Sequence, residues 1–251
     1  MGELVTLDGF PLSGVTRDGI WKINSLPGWN QRPPVKRNRE SRTSGDGSFK
    51  TPVFYENRLI TINGRLFTKN HDYLHQAEDM LNALGHRGGV KLLVEGHGPT
   101  QWATVDPRDS PDLTAVTGNF LQFQIPLEAI DPFKYGESYA VTGNTTDAAS
   151  LFHRGTVSAW PVVTVSASSS SGYTLTLNGR QVVVTRAIAS SSPHEIDFRT
   201  GILRVGGSVV TGGLSTANFS PINPGMPQNM SISTGSGSYG SITVRYSDTY
   251  I

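Results

Sequence analysis

The 251-residue chain is 36% hydrophobic and 16% charged, which is enough apolar sequence to bury the core of one large domain or two modest ones. Its net charge of +1 gives no overall attraction to nucleic acid or membranes, and the absence of cysteine excludes disulfides and thiolate chemistry. The N-terminus lacks a basic region followed by an apolar stretch, and no segment approaches the roughly 18 apolar residues that span a bilayer. We therefore expect a soluble protein that is made in the cytoplasm.

Short alternating apolar stretches, 28 glycines and 15 prolines predict a mainly β fold with frequent turns. Two Asn-Gly dipeptides predict type I′ hairpins, because both residues accept positive φ. The first hairpin joins 58–62 to 65–67 across Asn63-Gly64. The second joins 173–177 to 180–184 and places Tyr173 opposite Val184 and Leu175 opposite Val182.

One amphipathic helix is predicted over 72–84, where apolar residues recur at spacings of three and four. Asn70 is expected to cap its start, and Gly85 to adopt a left-handed conformation after its end. Strands are expected at 89–94, 102–105 and 119–129.

A small, polar segment over 136–150 predicts the domain boundary. We therefore divide the chain into an N-terminal domain over 1–137, a linker over 138–152 and a C-terminal β-sandwich over 153–251. Strands in the second domain are expected at 156–167, 194–198, 202–205 and 241–246, in addition to the second hairpin.

Histidines supply the few candidates for metal chemistry. His71 and His75 have the four-residue spacing of a zinc-binding helix, but Asp72 replaces the glutamate base of that motif and no third ligand follows. His97 lies in a turn-like stretch and is explained by a surface loop. We therefore predict no metal site, and no cofactor either, because no phosphate-binding or dinucleotide motif is present.

A hydrolytic triad is conceivable from His153, Asp197 and the many serines. No Gly-x-Ser-x-Gly elbow accompanies them, and Asp197 is better explained by bonds to the turn at 199–201. The chain is therefore predicted not to be an enzyme and to have no catalytic residue.

The one uneven charge distribution lies in 32–42, where Arg32, Lys36, Arg37, Arg39 and Arg42 accompany a single acidic residue. Such a segment can contact DNA phosphates or an acidic protein surface, or it can be a solvated loop. Arginine favours carboxylate partners in protein interfaces, so a protein partner is at least as plausible as DNA.

A sugar site is a second possibility, since Trp160 could stack on a sugar ring while His153, Arg154 or Asn178 donates hydrogen bonds. Trp160 precedes Pro161 at the start of an apolar strand, where it can equally cover one end of the sandwich.

The order of these features resembles the distal tail protein (Dit) of siphophages. The residues that carry the resemblance are short motifs in the family's order: Asp18-Gly19-Ile20-Trp21, Leu26-Pro27-Gly28-Trp29, Gly45-Asp46-Gly47, Tyr55-Glu56-Asn57-Arg58, Ala129-Ile130-Asp131-Pro132-Phe133, Arg154-Gly155-Thr156, Trp160-Pro161, Glu195-Ile196-Asp197 and the ending Tyr246-Ser247-Asp248-Thr249-Tyr250-Ile251.

The resemblance implies a ring-forming N-terminal domain, related to tail tube folds, and a galectin-like C-terminal β-sandwich. It further implies a homohexameric hub in the virion tail tip that contacts the tail tube protein and a tail-associated lysin or fibre protein. DNA then passes only transiently through the channel, and no membrane is involved. The chain has no room for the carbohydrate-binding modules that longer relatives carry.

For that reading, Trp21, Trp29 and the basic segment are predicted to lie at subunit or tube contacts. The alternatives are a carbohydrate-binding module that recognises a host saccharide through Trp160 and a tail-associated hydrolase, which the missing motifs disfavour.

Overall fold

The computed structural model describes residues 4–36, 41–46, 49, 52–96, 98–234 and 239–251. The chain folds into two compact units, Met1–Lys134 together with Ile251 (unit 1) and Tyr135–Tyr250 (unit 2). The fold class is mainly β with one helix, as predicted. No helix in the described part of the chain is long and apolar enough to cross a membrane.

Unit 1 is a β structure with one covering helix. Its elements are β1 (Leu4–Leu7), β2 (Phe10–Pro11), β3 (Gly14–Val15), β4 (Gly19–Ser25), β5 (Val35–Lys36), β6 (Phe54–Tyr55), β7 (Arg58–Thr68), α1 (His71–Ala83), β8 (Val90–Glu95), β9 (Gln101–Pro107), β10 (Asp112–Thr117) and β11 (Phe120–Ala129). Neighbouring strands run in the orders β2-β1-β8-β9 and β3-β4-β7-β11-β10, and β9 also pairs with the end of β11. Side chains from both sets of strands and from α1 enter one continuous apolar core.

The first predicted hairpin is wrong, because β7 continues straight through Asn63-Gly64. In the observed register Ile60 pairs with Leu127 of β11, and Phe67 pairs with both Phe120 and Ile20. Every second residue of β7 is buried without interruption through Gly64. The glycine is needed for space, since a Cβ on Gly64 would lie 2.2 Å from Cζ of Phe123.

The predicted helix is confirmed within one residue. The Asn70 side chain accepts a hydrogen bond from the backbone N–H of Tyr73, which satisfies one of the free donors of the first turn. Leu74, Ala77 and Leu81 are buried and form the narrow apolar stripe. Gly85 has a φ of 73° directly after the last turn, as expected for a left-handed terminating residue.

Unit 2 is a β-sandwich. Its strands are β12 (Lys134–Asn144), β13 (Ala149–Leu151), β14 (Val162–Ala167), β15 (Tyr173–Leu177), β16 (Arg180–Val184), β17 (His194–Asp197), β18 (Ile202–Val205), β19 (Ser208–Val210), β20 (Leu214–Ala217), β21 (Gln228–Thr234) and β22 (Gly240–Tyr250). One sheet has the order β19-β18-β17-β14-β22-β12 and the other β13-β21-β15-β16-β20. Buried side chains of both sheets, such as Val163 and Val244 from one and Leu175 and Val182 from the other, share one core.

The second predicted hairpin is confirmed in its register. Tyr173 pairs with Val184, and Leu175 pairs with Val182. Asn178 and Gly179 have φ angles of 53° and 72°, the two positive values that a type I′ turn requires.

The structure differs from the predicted linker. Residues 138–152 belong to unit 2, where they supply much of β12 and all of β13, and the division between the units falls at Lys134 and Tyr135. The small, polar composition that suggested a linker reflects a strand with little to bury, because no residue of β12 after Gly136 is fully buried.

The contact between Gly64 and the Phe123 ring predicts a steric effect of substitution. Gly64→Ala is expected to lower the free energy of unfolding of unit 1 by about 1–3 kcal/mol, because the ring must leave its packed position. Denaturant unfolding followed by tryptophan fluorescence measures this, since three of the four tryptophans, Trp21, Trp29 and Trp102, lie in unit 1.

Gly118→Ala is the matched control, because its added Cβ meets only the His71 ring, at 3.8 Å. The double variant Gly64→Ala/Phe123→Leu should lose less stability than the sum of the single changes. Strict additivity would show that the ring is not the cause.

Candidate functional site

The basic segment includes β5, which pairs with β6 to form a two-stranded antiparallel ribbon. Val35 of β5 pairs with Tyr55 of β6, and Lys36 pairs with Phe54. We call residues 32–55 the basic arm. A further bond from the Glu56 N–H to the Pro34 carbonyl, at 2.9 Å, fastens its base.

The cations of the arm that the structure describes are all exposed. These are Arg32, Lys36 and Arg42. The Arg42 guanidinium lies 5.9 Å from the centroid of the exposed Phe49 ring. Arg37 and Arg39, which the sequence prediction also included, lie outside the described residues. The described cations are available to an acidic protein surface or to phosphates.

Arg58 lies at the start of β7. Its side chain bonds to one chain segment that precedes this strand and to another that follows it. Its side chain is 1% exposed. Nη1 donates to the carbonyl oxygens of Gly28, Trp29 and Gln31 at 2.8, 3.1 and 2.6 Å, and Nε donates to that of Pro132 at 2.9 Å. Nη2 is buried without a hydrogen-bond partner among the described residues. Burial lowers the pKa of Arg58 to about 10.

A second buried cation lies beside this cluster. Lys134 is 5% exposed, and its ammonium nitrogen lies 5.2 Å from the centroid of the Trp29 ring, within the range of a cation–π contact. Burial, and to a lesser extent the charge of Arg58, lowers the pKa of Lys134 to about 8. The two cations and Trp29 form what we call the buried cation cluster.

The prediction that Trp21 and Trp29 contact a partner needs correction, because both are core residues. Trp21 is 1% exposed and packs edge-on against Phe10 and Phe123, with its indole N–H donating to Thr16 Oγ1 at 2.9 Å. Trp29 is 2% exposed and packs in the same core. Large aromatic side chains are favoured both in cores and in interfaces, so residue type alone did not separate the two.

A row of apolar side chains lies on the outer face of the β4-β7-β11 sheet instead. Ile20 pairs with Phe67, and Phe67 with Phe120, so the three lie side by side. Ile20 and Phe67 are 44% and 38% exposed, and the Phe67 and Phe120 rings stack with centroids 4.7 Å apart. This row was not predicted from the sequence, although the alternation in β7 places Phe67 on the face opposite to that of the buried Leu66.

A cleft of about 530 Å³ opens beside the base of the basic arm. Its walls include Lys36, Glu56, Arg108 and Glu128. The Asn57 side-chain amide donates to Glu128 Oε1 at 2.7 Å across it. The cleft therefore presents charges of both signs, which suits a polar polypeptide segment better than an apolar ligand.

The residues proposed for a sugar site do not form one. Trp160 is 40% exposed, but His153 is fully buried, with Nδ1 beside Asp248 and Nε2 bonded to the Val157 carbonyl at 2.6 Å. The Asn178 amide already donates to three acceptors, including Gln228 Oε1 at 2.7 Å. Of the three suggested donors, Arg154 and Asn178 are exposed, but the amide of Asn178 is already engaged within the protein.

The suggested triad is likewise absent from the described geometry. The carboxylate that contacts His153 is Asp248 rather than Asp197, at 3.1 Å. Asp197 instead accepts from the backbone N–H groups of Arg199 and Thr200 and from the Thr200 hydroxyl. This confirms the turn role that the sequence predicted for Asp197. His97 lies outside the described residues.

The candidates for metal binding in the described structure are the two histidines of α1. Among the described residues, no group of three or more His, Asp or Glu side chains is arranged to hold a metal ion. His71 and His75 are both exposed on α1, and their imidazole rings contact each other, with the Nε2 atoms 2.9 Å apart.

Comparison with known proteins identifies the class of fold. No protein-family model matches the chain, and no curated protein matches its sequence. Among solved structures, the Dit protein of phage SPP1, described as a paradigm of the hub adsorption apparatus in phages that infect Gram-positive bacteria, is similar over 100% of both chains. Its TM-score is 0.74 at 14% sequence identity.

The chain therefore has the Dit fold along its whole length, which confirms the fold implied by the sequence resemblance. Two structures of the phage p2 baseplate in its activated conformation, determined with calcium and with strontium, cover 97% and 96% of the chain and 98% and 97% of their own. Their TM-scores are 0.48 and 0.47, at 9% and 10% identity. These scores are below the level at which a shared fold can be inferred.

The bonds of Arg58 predict that lysine cannot replace it. A lysine ammonium is a point donor that cannot span Gly28, Gln31 and Pro132 at once. Arg58→Lys should lower the free energy of unfolding of unit 1 by about 2–4 kcal/mol, measured by tryptophan fluorescence in denaturant. The exposed Arg65 of the same strand gives the control, since Arg65→Lys should change stability by less than about 0.5 kcal/mol. Equal losses for the two variants would contradict the role of Arg58.

The lowered pKa of Lys134 predicts a pH dependence with a definite sign. Between about 8 and 10.5 the unfolded chain holds a proton on Lys134 that the folded chain has released, so stability rises with pH in this window. From about pH 8 to pH 9.5 the free energy of unfolding of unit 1 should increase by about 1.5 kcal/mol. Lys134→Met should remove that increase, while Lys22→Met, which changes an exposed lysine, should keep it. A flat profile in the unsubstituted protein would exclude the effect.

Proposed function

We propose that this chain is a structural hub of a phage tail tip. Six copies form a ring that joins the tail tube to the tip complex, and DNA passes through the channel of the ring on its way out. The observation that carries the proposal is the match of the entire chain, both units included, to the Dit protein of phage SPP1. The protein then resides in the virion after assembly in the host cytoplasm, and its work is binding, not catalysis.

The surface of unit 1 supports a subunit with several contacts. The exposed cations of the basic arm offer charge, the row of Ile20, Phe67 and Phe120 offers apolar area, and the cleft beside the arm offers polar groups of both signs. A ring requires two different surfaces on each subunit that fit each other, because a repeated heterologous contact closes only when its rotation does. We assign the basic arm to one of these surfaces and the apolar row to the other.

The arm cations are proposed to face acidic groups of the neighbouring subunit or of the tube protein. Arg32 and Arg42 are suited to this by their planar guanidinium groups, which bond carboxylates with two parallel hydrogen bonds. DNA is a transient passenger in this proposal, and a channel that bound phosphates tightly would hold it back.

The ring can be tested on the purified full-length chain. Light scattering after size exclusion, over a concentration series at low salt, should reveal an assembly of about six subunits, either alone or once tail tube protein is added. Negative-stain images of that assembly should show a ring with six-fold symmetry. A chain that stays monomeric alone and with the tube protein would overturn the proposal.

Charge reversal separates the arm from the rest of the surface. Arg32→Glu/Lys36→Glu/Arg42→Glu should weaken assembly by at least about tenfold, whereas the sign change at exposed Arg87, Arg87→Glu, should not. Circular dichroism of the triple variant verifies that it folds. Normal assembly by the triple variant would remove the arm from the interface and leave the apolar row, which Phe67→Ser tests in the same assay.

A further inference from the structure

The helix α1 carries an arrangement that neither the hub proposal nor the Dit fold explains. His71 and His75 stand one turn apart on its exposed side, and their Nε2 atoms approach to 2.9 Å. The rings meet edge to face, at an interplanar angle of 69° with centroids 4.3 Å apart. The His75 side chain is 60% exposed, so the space around the two nitrogens is open to water.

The other nitrogen of each ring faces an oxygen acceptor. His75 Nδ1 lies 3.1 Å from Glu78 Oε2, and His71 Nδ1 lies 3.3 Å from the carbonyl oxygen of Gly118. Carboxylate and carbonyl oxygens can only accept, so in the neutral imidazoles each Nδ1 carries the hydrogen and each Nε2 presents its lone pair. Two lone pairs at 2.9 Å repel each other unless a cation lies between them.

We propose that His71 and His75 bind a divalent transition-metal ion through their Nε2 atoms, with water completing its coordination. Oxygen acceptors behind each imidazole are what metal-bound histidines use to fix the ring and the tautomer. Here Glu78 serves His75, and the Gly118 carbonyl serves His71. The proposed metal site lies within unit 1, and it does not depend on the proposed hexameric ring.

The spacing of the nitrogens selects the kind of ion. With metal–nitrogen bonds of about 2.0–2.1 Å, two nitrogens 2.9 Å apart subtend an angle of about 90° at the metal. That is the angle between neighbouring ligands of a square or octahedral ion, whereas tetrahedral ligands stand farther apart. Cu²⁺ and Ni²⁺ prefer such positions, so the pair favours them over Zn²⁺.

The ion would also tie two parts of unit 1 together. Gly118 lies between β10 and β11, so a metal that fixes the His71 ring fixes its contact with this turn. A ligand that binds only the folded state raises the stability of that state. Metal binding is therefore expected to raise the melting temperature of unit 1.

The test uses the full-length chain with CuSO₄ or NiSO₄ as the probe. Titration calorimetry should give one equivalent of Cu²⁺ per chain, and the paramagnetic resonance spectrum should show two coordinated imidazole nitrogens. His71→Ala and His75→Ala should each weaken binding by at least about tenfold, and Glu78→Gln by a few-fold. The rise in melting temperature with Ni²⁺ should vanish in both alanine variants.

His86→Ala provides the matched control. His86 is exposed near the end of the same helix, and its Nδ1 contacts the Ala83 carbonyl at 2.8 Å, but no second imidazole of the described residues contacts it. Cu²⁺ binding by this variant should equal that of the unsubstituted chain. Binding that survives His71→Ala and His75→Ala, or an absence of saturable binding in the unsubstituted chain, would overturn the proposal and leave a shared proton between the two rings. Unfolding in the presence of a chelator checks that each variant folds.

Discussion

The buried guanidinium of Arg58 is the interaction on which the candidate site of unit 1 depends. A cation that leaves water loses much solvation free energy, and here backbone carbonyls replace the water. Those carbonyls come from chain segments on both sides of β7, at 28–31 and at Pro132. The segments lie outside the strands at these points, and Arg58 supplies donors to their carbonyl groups, of which that of Trp29 is bonded in a buried environment. One side chain thus fixes where the chain leaves the core toward the basic arm.

The same dipeptide, Asn-Gly, turns the chain at 178–179 and leaves it straight at 63–64. Apolar residues alternate on either side of both dipeptides. Only in β7, however, does the burial of every second residue continue through the glycine to Leu66. The alternation through Gly64 could have been predicted from the sequence. The reason for a glycine at position 64 could not be predicted, since the Phe123 ring that fills the space belongs to β11, about 60 residues further along the chain. Local turn propensity gave way to a contact distant in sequence.

Some features of the fold and of the candidate site could be predicted from the sequence, and others could not. The fold followed from the order of short motifs, and the helix and the second hairpin from local patterns that the core reinforces. In β4 the alternation buries Trp21 together with Gly19, and in β7 it buries Arg58 together with Ile60 and Ile62. Alternation could therefore have placed both Trp21 and Arg58 in the core. No sequence signal predicts that Lys134 lies against Trp29, or that the two histidines of α1 turn their lone pairs toward each other. Those contacts depend on rotamers and on loops that only the folded chain defines.

A surface that works by binding gains from being ordered before the partner arrives. Each side chain or loop that becomes fixed on association subtracts from the affinity, by about 0.5–1.5 kcal/mol for a long side chain. In the basic arm, β5 pairs with β6, and Arg58 holds the chain just before the arm. The buried cation cluster thus gives a physical reason for a costly charge in the core: it positions exposed charges that the proposed ring would use. A ring repeats each contact at every subunit boundary, so a small gain in order at one arm is multiplied around the assembly.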